Sequence, residues 1–170
     1  MTKRKKSKKS QAFLKDYSPS PPDRKRFSLG DKPANLNENR HHCPVFSFQY
    51  VSMNKTKKCF NNSSIRTKDY HAFLERLKKI SLVSYEKMDQ GGISFRFHPV
   101  NFDDSGVTIT ENDFKKALTP TPHILDEGNT PTLYQFSIGG KQRVFGFLGY
   151  YGTFHLVWYD YDHSVYAEKK

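Results

Sequence analysis

Three runs near the C-terminal end, TLYQFSI, QRVFGFLGY and TFHLVWYDY, constrain the fold more than any other stretch of the chain. Each is rich in β-branched and aromatic residues and reads as a strand. Gly139–Gly140 separates the first pair and Tyr151–Gly152 the second, so the runs should form an antiparallel meander. Tyr134, Phe136, Ile138, Val144, Leu148, Phe154, Leu156 and Trp158 are its expected core. Phe145 and Phe147 share a face with Arg143, which implies a sheet covered on both sides.

Upstream, CPVFSFQYVSM (Cys43–Met53) alternates and reads as a half-buried strand, with NKTKK and a short CF segment completing a hairpin. In TKDYHAFLERLKKI, residues Tyr70, Phe73, Leu74, Leu77 and Ile80 recur at helical spacing. Thr67 is the expected N-cap, Asp69 falls in the first turn, and Glu75 pairs with Lys79. A second helix should run from Leu82 to Met88, starting at Ser81 and stopping at Gly91–Gly92. ISFRFHPV (Ile93–Val100) reads as an edge strand with Arg96 and His98 on one face. Thr110 and Asp113 look like a capping pair for a short helix carrying Phe114, Ala117 and Leu118. TPTPHILDEGNTP is a loop. The expected class is α+β: a helix pair packed on one face of a largely antiparallel sheet that ends in a three-stranded meander.

Charge divides the chain. Residues 1–40 hold 12 Lys+Arg against 4 Asp+Glu, a net of +8 out of +11, and only three aromatics, Phe13, Tyr17 and Phe27. Such a segment has little apolar surface to offset its ordering entropy. The expected domains are therefore a disordered basic arm (1–42) and a single α+β domain (43–168). No window is apolar enough to span a membrane, and MTKRKKSKKS is not followed by an apolar stretch of the secretory kind. Two cysteines cannot make a disulfide scaffold, so a cytoplasmic protein is expected, with no membrane partner.

The arm offers Lys3, Arg4, Lys5, Lys6, Lys8, Lys9, Arg24, Lys25 and Arg26 to a polyanion, with a further basic patch at Lys55–Lys58. Phosphate-loop, dinucleotide-binding, zinc-protease and nucleophile-elbow motifs are missing. His41, His42, Cys43 and Cys59 are metal-capable types, but they do not fall in the close pairs that zinc needs. They read as surface histidines and a buried thiol, and no metal or other cofactor is expected. Asp160 and Asp162 are two carboxylates without a third. Metal-independent RNA cleavage needs a base, an acid and a cation for the phosphorane. His155 and His163 could move protons, Arg143 could hold phosphate, and Arg96 with His98 form a second Arg/His pair. Asp160 and Asp162 beside His163 would raise its pKa, although Asp–x–Asp–His also suits a turn closed by carboxylate hydrogen bonds.

PVFSFQYV, FLERLKKISLVSYEKM and QRVFGFLGYYGTFHLVWYDYDHSVY resemble a type of small bacterial and mobile-element protein over residues 44–166. More distantly, a helical pair followed by a meander whose middle strand carries Gln142–Arg143–Val144 is similar to the RelE, HigB and YoeB toxins. That resemblance implies a ribosome-dependent ribonuclease from a toxin–antitoxin or defence locus, with Arg143, His155, His163, Arg96 and His98 as catalytic candidates. RNA or the ribosome would be its partner through the arm, and a cognate antitoxin its protein partner. The rival reading is a non-enzymatic nucleic-acid or protein interaction module of a phage or mobile element.

Overall fold

The computed structural model describes residues 34–53, 58–90, 95–118 and 130–167. The arm cations from Lys3 to Arg26, the turn at 54–57, the Gly91–Gly92 stop and the loop at 119–129 lie outside the described residues.

The expected meander is present. β3 (Leu133–Gly139), β4 (Gln142–Leu148) and β5 (Thr153–Asp160) pair antiparallel in sequence order. β2 (His98–Pro99) adds antiparallel to β3, and β1 (Val45–Ser47) adds parallel to β5. The result is one mixed sheet in the order β1-β5-β4-β3-β2. Two elements are shorter than their hydrophobic patterns suggested. The alternation from Cys43 to Met53 breaks after Ser47, so Phe46 packs on one sheet face, Phe48 is exposed and Tyr50 is buried on the other. The Ile93–Val100 run breaks at Arg96, whose φ of 49° lies in the left-handed region and cannot continue a strand.

The first face carries α1 (Leu36–Asn39), α2 (Thr67–Ile80) and α3 (Tyr85–Asp89). Phe73, Leu77 and Ile80 of α2 pack with Tyr85 and Met88 of α3 against Phe136, Val144, Phe154 and Leu156. Leu74, placed in the apolar stripe by its spacing, is exposed at its rim. α2 is capped by Arg66 rather than Thr67: Asp69 accepts from the Arg66 backbone at 2.9 Å and from its Nε at 3.0 Å. That guanidinium holds the Asp69 carboxyl down at about 2. Glu75 lies 4.0 Å from Lys78 rather than pairing with Lys79. α3 starts at Tyr85 with a Ser84 cap, later than the sequence pattern placed it.

The second face is covered by α4 (Glu111–Leu118), so the helices do not all lie on one side. The expected capping pair forms, with Thr110 N–H donating to Asp113 at 2.9 Å and Asp113 N–H to Thr110 Oγ1 at 3.1 Å. Phe114 and Leu118 are fully buried against Leu133, Phe145, Phe147 and Trp158. Trp158 was expected beside Leu156, yet it faces the other way. The β4–β5 register shifts between Phe145 and Gly146, so Val157 is an extra residue that reverses the alternation. Gly146 allows the close approach at this bulge, because a Cβ there would lie 2.1 Å from His155 O.

The folded body begins upstream of Cys43. Ala34 N–H donates to Leu148 O, and Leu36 packs on the first-face core. Buried Asn39 donates to Gly149 O at 2.8 Å and accepts from Gly152 N–H at 2.7 Å. Residues 34–42, grouped with the arm on composition, therefore clasp the β4–β5 connection.

Candidate functional site

The second face is apolar at one end and polar at the other. Along β3 it presents Leu133, Gln135 and Ser137; along β4, Phe147, Phe145 and Arg143; at the end of β5, Trp158 and Asp160. α4 seats Phe114 on the apolar end, with ring centroids 6.3 Å from Phe147 and 5.9 Å from Trp158. Beyond it the strands form the floor of an open cleft of about 1160 Å³. Its lining includes Arg96, His98, Gln135, Lys141, Arg143, His163 and Tyr166, with Asp104–Gly106 at the rim.

Arg143 is buried at the floor. Its Nη1 donates to Gly140 O and Gln142 O, each at 2.8 Å, and to Ser137 Oγ at 3.2 Å. Among the described residues, Nε and Nη2 donate to no group. Burial and the neighbouring Arg96 lower the Arg143 pKa, but a guanidinium keeps its charge in a protein. One side of a fixed cation is thus held by the scaffold, and the residue lies buried in the lining of the cleft.

Asp160, on the same floor, holds the C-terminal wall in place. It sits beside Arg143 in register and is fully buried. It accepts from Ser164 N–H at 2.7 Å, Ser164 Oγ at 2.9 Å and Val165 N–H at 2.8 Å. This carboxylate-closed turn folds the chain back over the sheet. Residues beyond it then pair with the rim: Thr108 N–H donates to Val165 O and Ala167 N–H to Gly106 O, each at 2.8 Å. His163 is carried on the turn with φ 59°. Arg96 and His163 are two of the three described non-glycine residues with positive φ, and both line this cleft. Such conformations cost on the order of 1–3 kcal/mol each and gather at functional sites.

The carboxylate beside His163 does not dominate it. Burial lowers the His163 pKa most, Arg143 lowers it further, and Asp160 opposes them with the smaller effect. The ring is therefore neutral at pH 7, contrary to the expectation of a raised value. Burial pushes the Tyr166 hydroxyl up to about 12, so it keeps its proton. The two rings lie 5.4 Å apart.

His98 sits on β2 with its ring tied at both nitrogens. Nδ1 is 2.9 Å from Pro99 O, and Nε2 is 2.7 Å from Gln135 Nε2. Buried Gln135 accepts in turn from the Tyr166 hydroxyl at 2.6 Å.

Four of the five expected residues, Arg143, His163, Arg96 and His98, converge in this cleft. His155 does not. It is fully buried under the apolar end, stacked on Phe147 at 4.7 Å and edge-on to Tyr50 at 5.1 Å. The sequence reading missed Gln135, Lys141 and Tyr166. Gln135 and Ser137 did carry a signal, since two polar residues interrupt one face of an otherwise apolar strand beside Arg143. His41, His42 and Cys43 are exposed and Cys59 is buried. Among the described residues, no three His, Cys, Asp or Glu side chains gather as a metal-binding group, and no helix is long and apolar enough to cross a membrane. No family model, curated protein or solved structure matches the chain.

Proposed function

We propose that the cleft binds the phosphodiester of single-stranded RNA and cleaves it without a metal. The observation that carries this reading is the convergence of Arg96, Lys141 and Arg143 with His163, His98 and Tyr166 in one cleft. Arg96, Lys141 and Arg143 outnumber the two carboxylates near them, Asp104 at the rim and Asp160, which is already met by the Ser164 and Val165 N–H groups, and so favour an anion. A neutral His163 can take the 2′-hydroxyl proton. The 2′-oxygen then attacks phosphorus, the bond to the 5′-oxygen breaks, and the Tyr166 hydroxyl gives its proton to that leaving oxygen. The products are a 2′,3′-cyclic phosphate and a 5′-hydroxyl. Proton return from His163 to Tyr166 restores both groups. Arg143 and Arg96 stabilise the phosphorane. The arm cations Lys3 to Arg26 add salt-dependent affinity for RNA or the ribosome. The toxin-like or defence-locus setting, with an antitoxin as partner, belongs to this same reading.

The test is RNA cleavage in EDTA by wild type, Arg96→Ala, His163→Ala and Tyr166→Phe. Loss of a proton-transfer group should slow cleavage by about 10²–10⁴-fold. Equal rates in all four would remove the mechanism. If every form still binds RNA in a salt-sensitive way, the chain is a non-enzymatic binding module.

A further inference from the structure

The hydrogen bonds around Gln135 take their direction from the one partner that can only accept, Pro99 O. Pro99 O can only accept, so a neutral His98 ring must carry its proton on Nδ1 and donate there. Nε2 is then a bare acceptor, and Gln135 must offer it an amide N–H. That leaves Gln135 Oε1 facing Tyr166, whose hydroxyl hydrogen is committed inward. The chain runs one way: Tyr166 to Gln135, Gln135 to His98, His98 to Pro99.

A second proton on His98 reverses the middle of this chain. Imidazolium donates from both nitrogens, and Nε2–H would meet the amide N–H of Gln135 at 2.7 Å. Two donors cannot share that contact. A half-turn of the Gln135 amide resolves it: Oε1 accepts from His98, and the amide N–H donates to the Tyr166 oxygen. The Tyr166 hydrogen is then released from its inward bond and can point into the cleft. Gln135 itself is buried between an exposed His98 and a half-buried Tyr166, so its amide answers to these two neighbours.

We infer that Gln135 is a two-position coupler through which protonation of His98 turns the Tyr166 hydroxyl from an internal donor into a donor for a phosphate in the cleft. The inference rests on reading the cleft as a phosphate site. One proton thereby adds both a charge and a hydrogen-bond donor for the anion. By linkage, the anion favours the protonated ring to the same degree. The charged and titratable groups that share the cleft with His98 come from every wall, and Asp160 lies buried beside Arg143. Arg96 lies on its own segment, Asp104 at the rim, Lys141 and Arg143 on the β3–β4 hairpin, and His163 and Tyr166 on the C-terminal segment. Gln135 is a positioning residue, acting only through its two neighbours.

The experiment uses the full chain and sulfate, a dianion whose charge is constant between pH 8 and pH 5, where an imidazole changes charge. Nuclear Overhauser contacts of the Gln135 amide protons report the turn directly. They should link to the His98 ring at pH 8 and to the Tyr166 ring at pH 5. In parallel, sulfate affinity should rise on acidification in wild type by about tenfold more than in Tyr166→Phe, the value of one charge-assisted hydrogen bond. Gln135→Leu should lose the same increment. Amide protons that stay beside a protonated His98, or equal gains in wild type and Tyr166→Phe, would overturn the coupler. No sulfate binding at either pH, with the amide still turning, would instead sink the phosphate-site reading and leave the coupler standing.

Discussion

The two ends of the second sheet face are built from the same three strands and differ in what crosses them. At one end α4 lays Phe114 over Phe147 and Trp158, and His155 is stacked beneath as part of the packing. At the other end the strands carry Gln135, Ser137, Arg143 and Asp160, walled among the described residues by the segments around Arg96–Gly106 and His163–Ala167. These floor residues are buried without apolar cover because each finds a polar partner: Arg143 on two carbonyls and Ser137, Asp160 on the turn that follows it. Strand alternation decides which face a side chain takes. The crossing segment decides whether a histidine on that face becomes packing or chemistry.

The largest effect should come from breaking the covered end. Phe114→Ala removes a fully buried ring and should cost about 3–5 kcal/mol in urea unfolding. Sulfate affinity of the folded fraction should stay unchanged. A parallel loss of binding would mean that the two ends are not independent. Asp160→Ala should cost less, about 2–4 kcal/mol, by stranding the N–H groups of Ser164 and Val165. Unlike Phe114→Ala, it should also abolish sulfate binding, because His163 and Tyr166 are both carried by that turn. Retained binding would show that the C-terminal wall is dispensable. Smaller again is His155→Phe, a ring-for-ring change in an aromatic setting, expected to cost below about 1.5 kcal/mol. Its RNA cleavage rate should match wild type within about twofold; a loss comparable to that of His163→Ala would return His155 to the chemistry.

The same contrast explains what the sequence made legible. The meander, its paired faces and the Thr110–Asp113 cap follow from local rules, so they could be read directly. Arg143 and the Arg96–His98 pair were each visible as candidates, but their meeting was not, because it depends on β2 pairing with β3 and placing His98 opposite Gln135. His155 could not be separated from them, because its cover by Tyr50 is a long-range fact. Trp158 was misplaced because one extra residue at Val157 reverses every side chain beyond it, and nothing local announces a bulge in an apolar run. β1 joins β5 in parallel, a pairing that no turn signal between them could reveal. Asp160 shows the limit most plainly. Its neighbourhood to His163 was visible, but its commitment to Ser164 and Val165, and the opposing weight of burial and Arg143, were not.

His163 should show the smallest effect, and the sign of that effect is specific. Burial first and Arg143 second make the folded ring hold its proton less tightly than an unfolded histidine, whose pKa is about 6.5. Above that value neither state is protonated and the contribution of His163 to stability is complete. As pH falls through the window between the unfolded and the lower folded value, the unfolded chain binds more protons and stability drops. Below the folded value both states carry the proton and the loss stops growing. Urea unfolding of wild type and His163→Gln across pH 8 to 4 should therefore give a difference that is constant at high pH, shifts against wild type below about 6.5, and then levels off. A flat difference would mean that folding leaves the titration of His163 unchanged, and one that moves toward wild type in acid would place His163 where the imidazolium is favoured. Such a ring would already hold a proton at pH 7 and could not take one from a 2′-hydroxyl, so this small measurement bears on the mechanism as directly as the rate assay does.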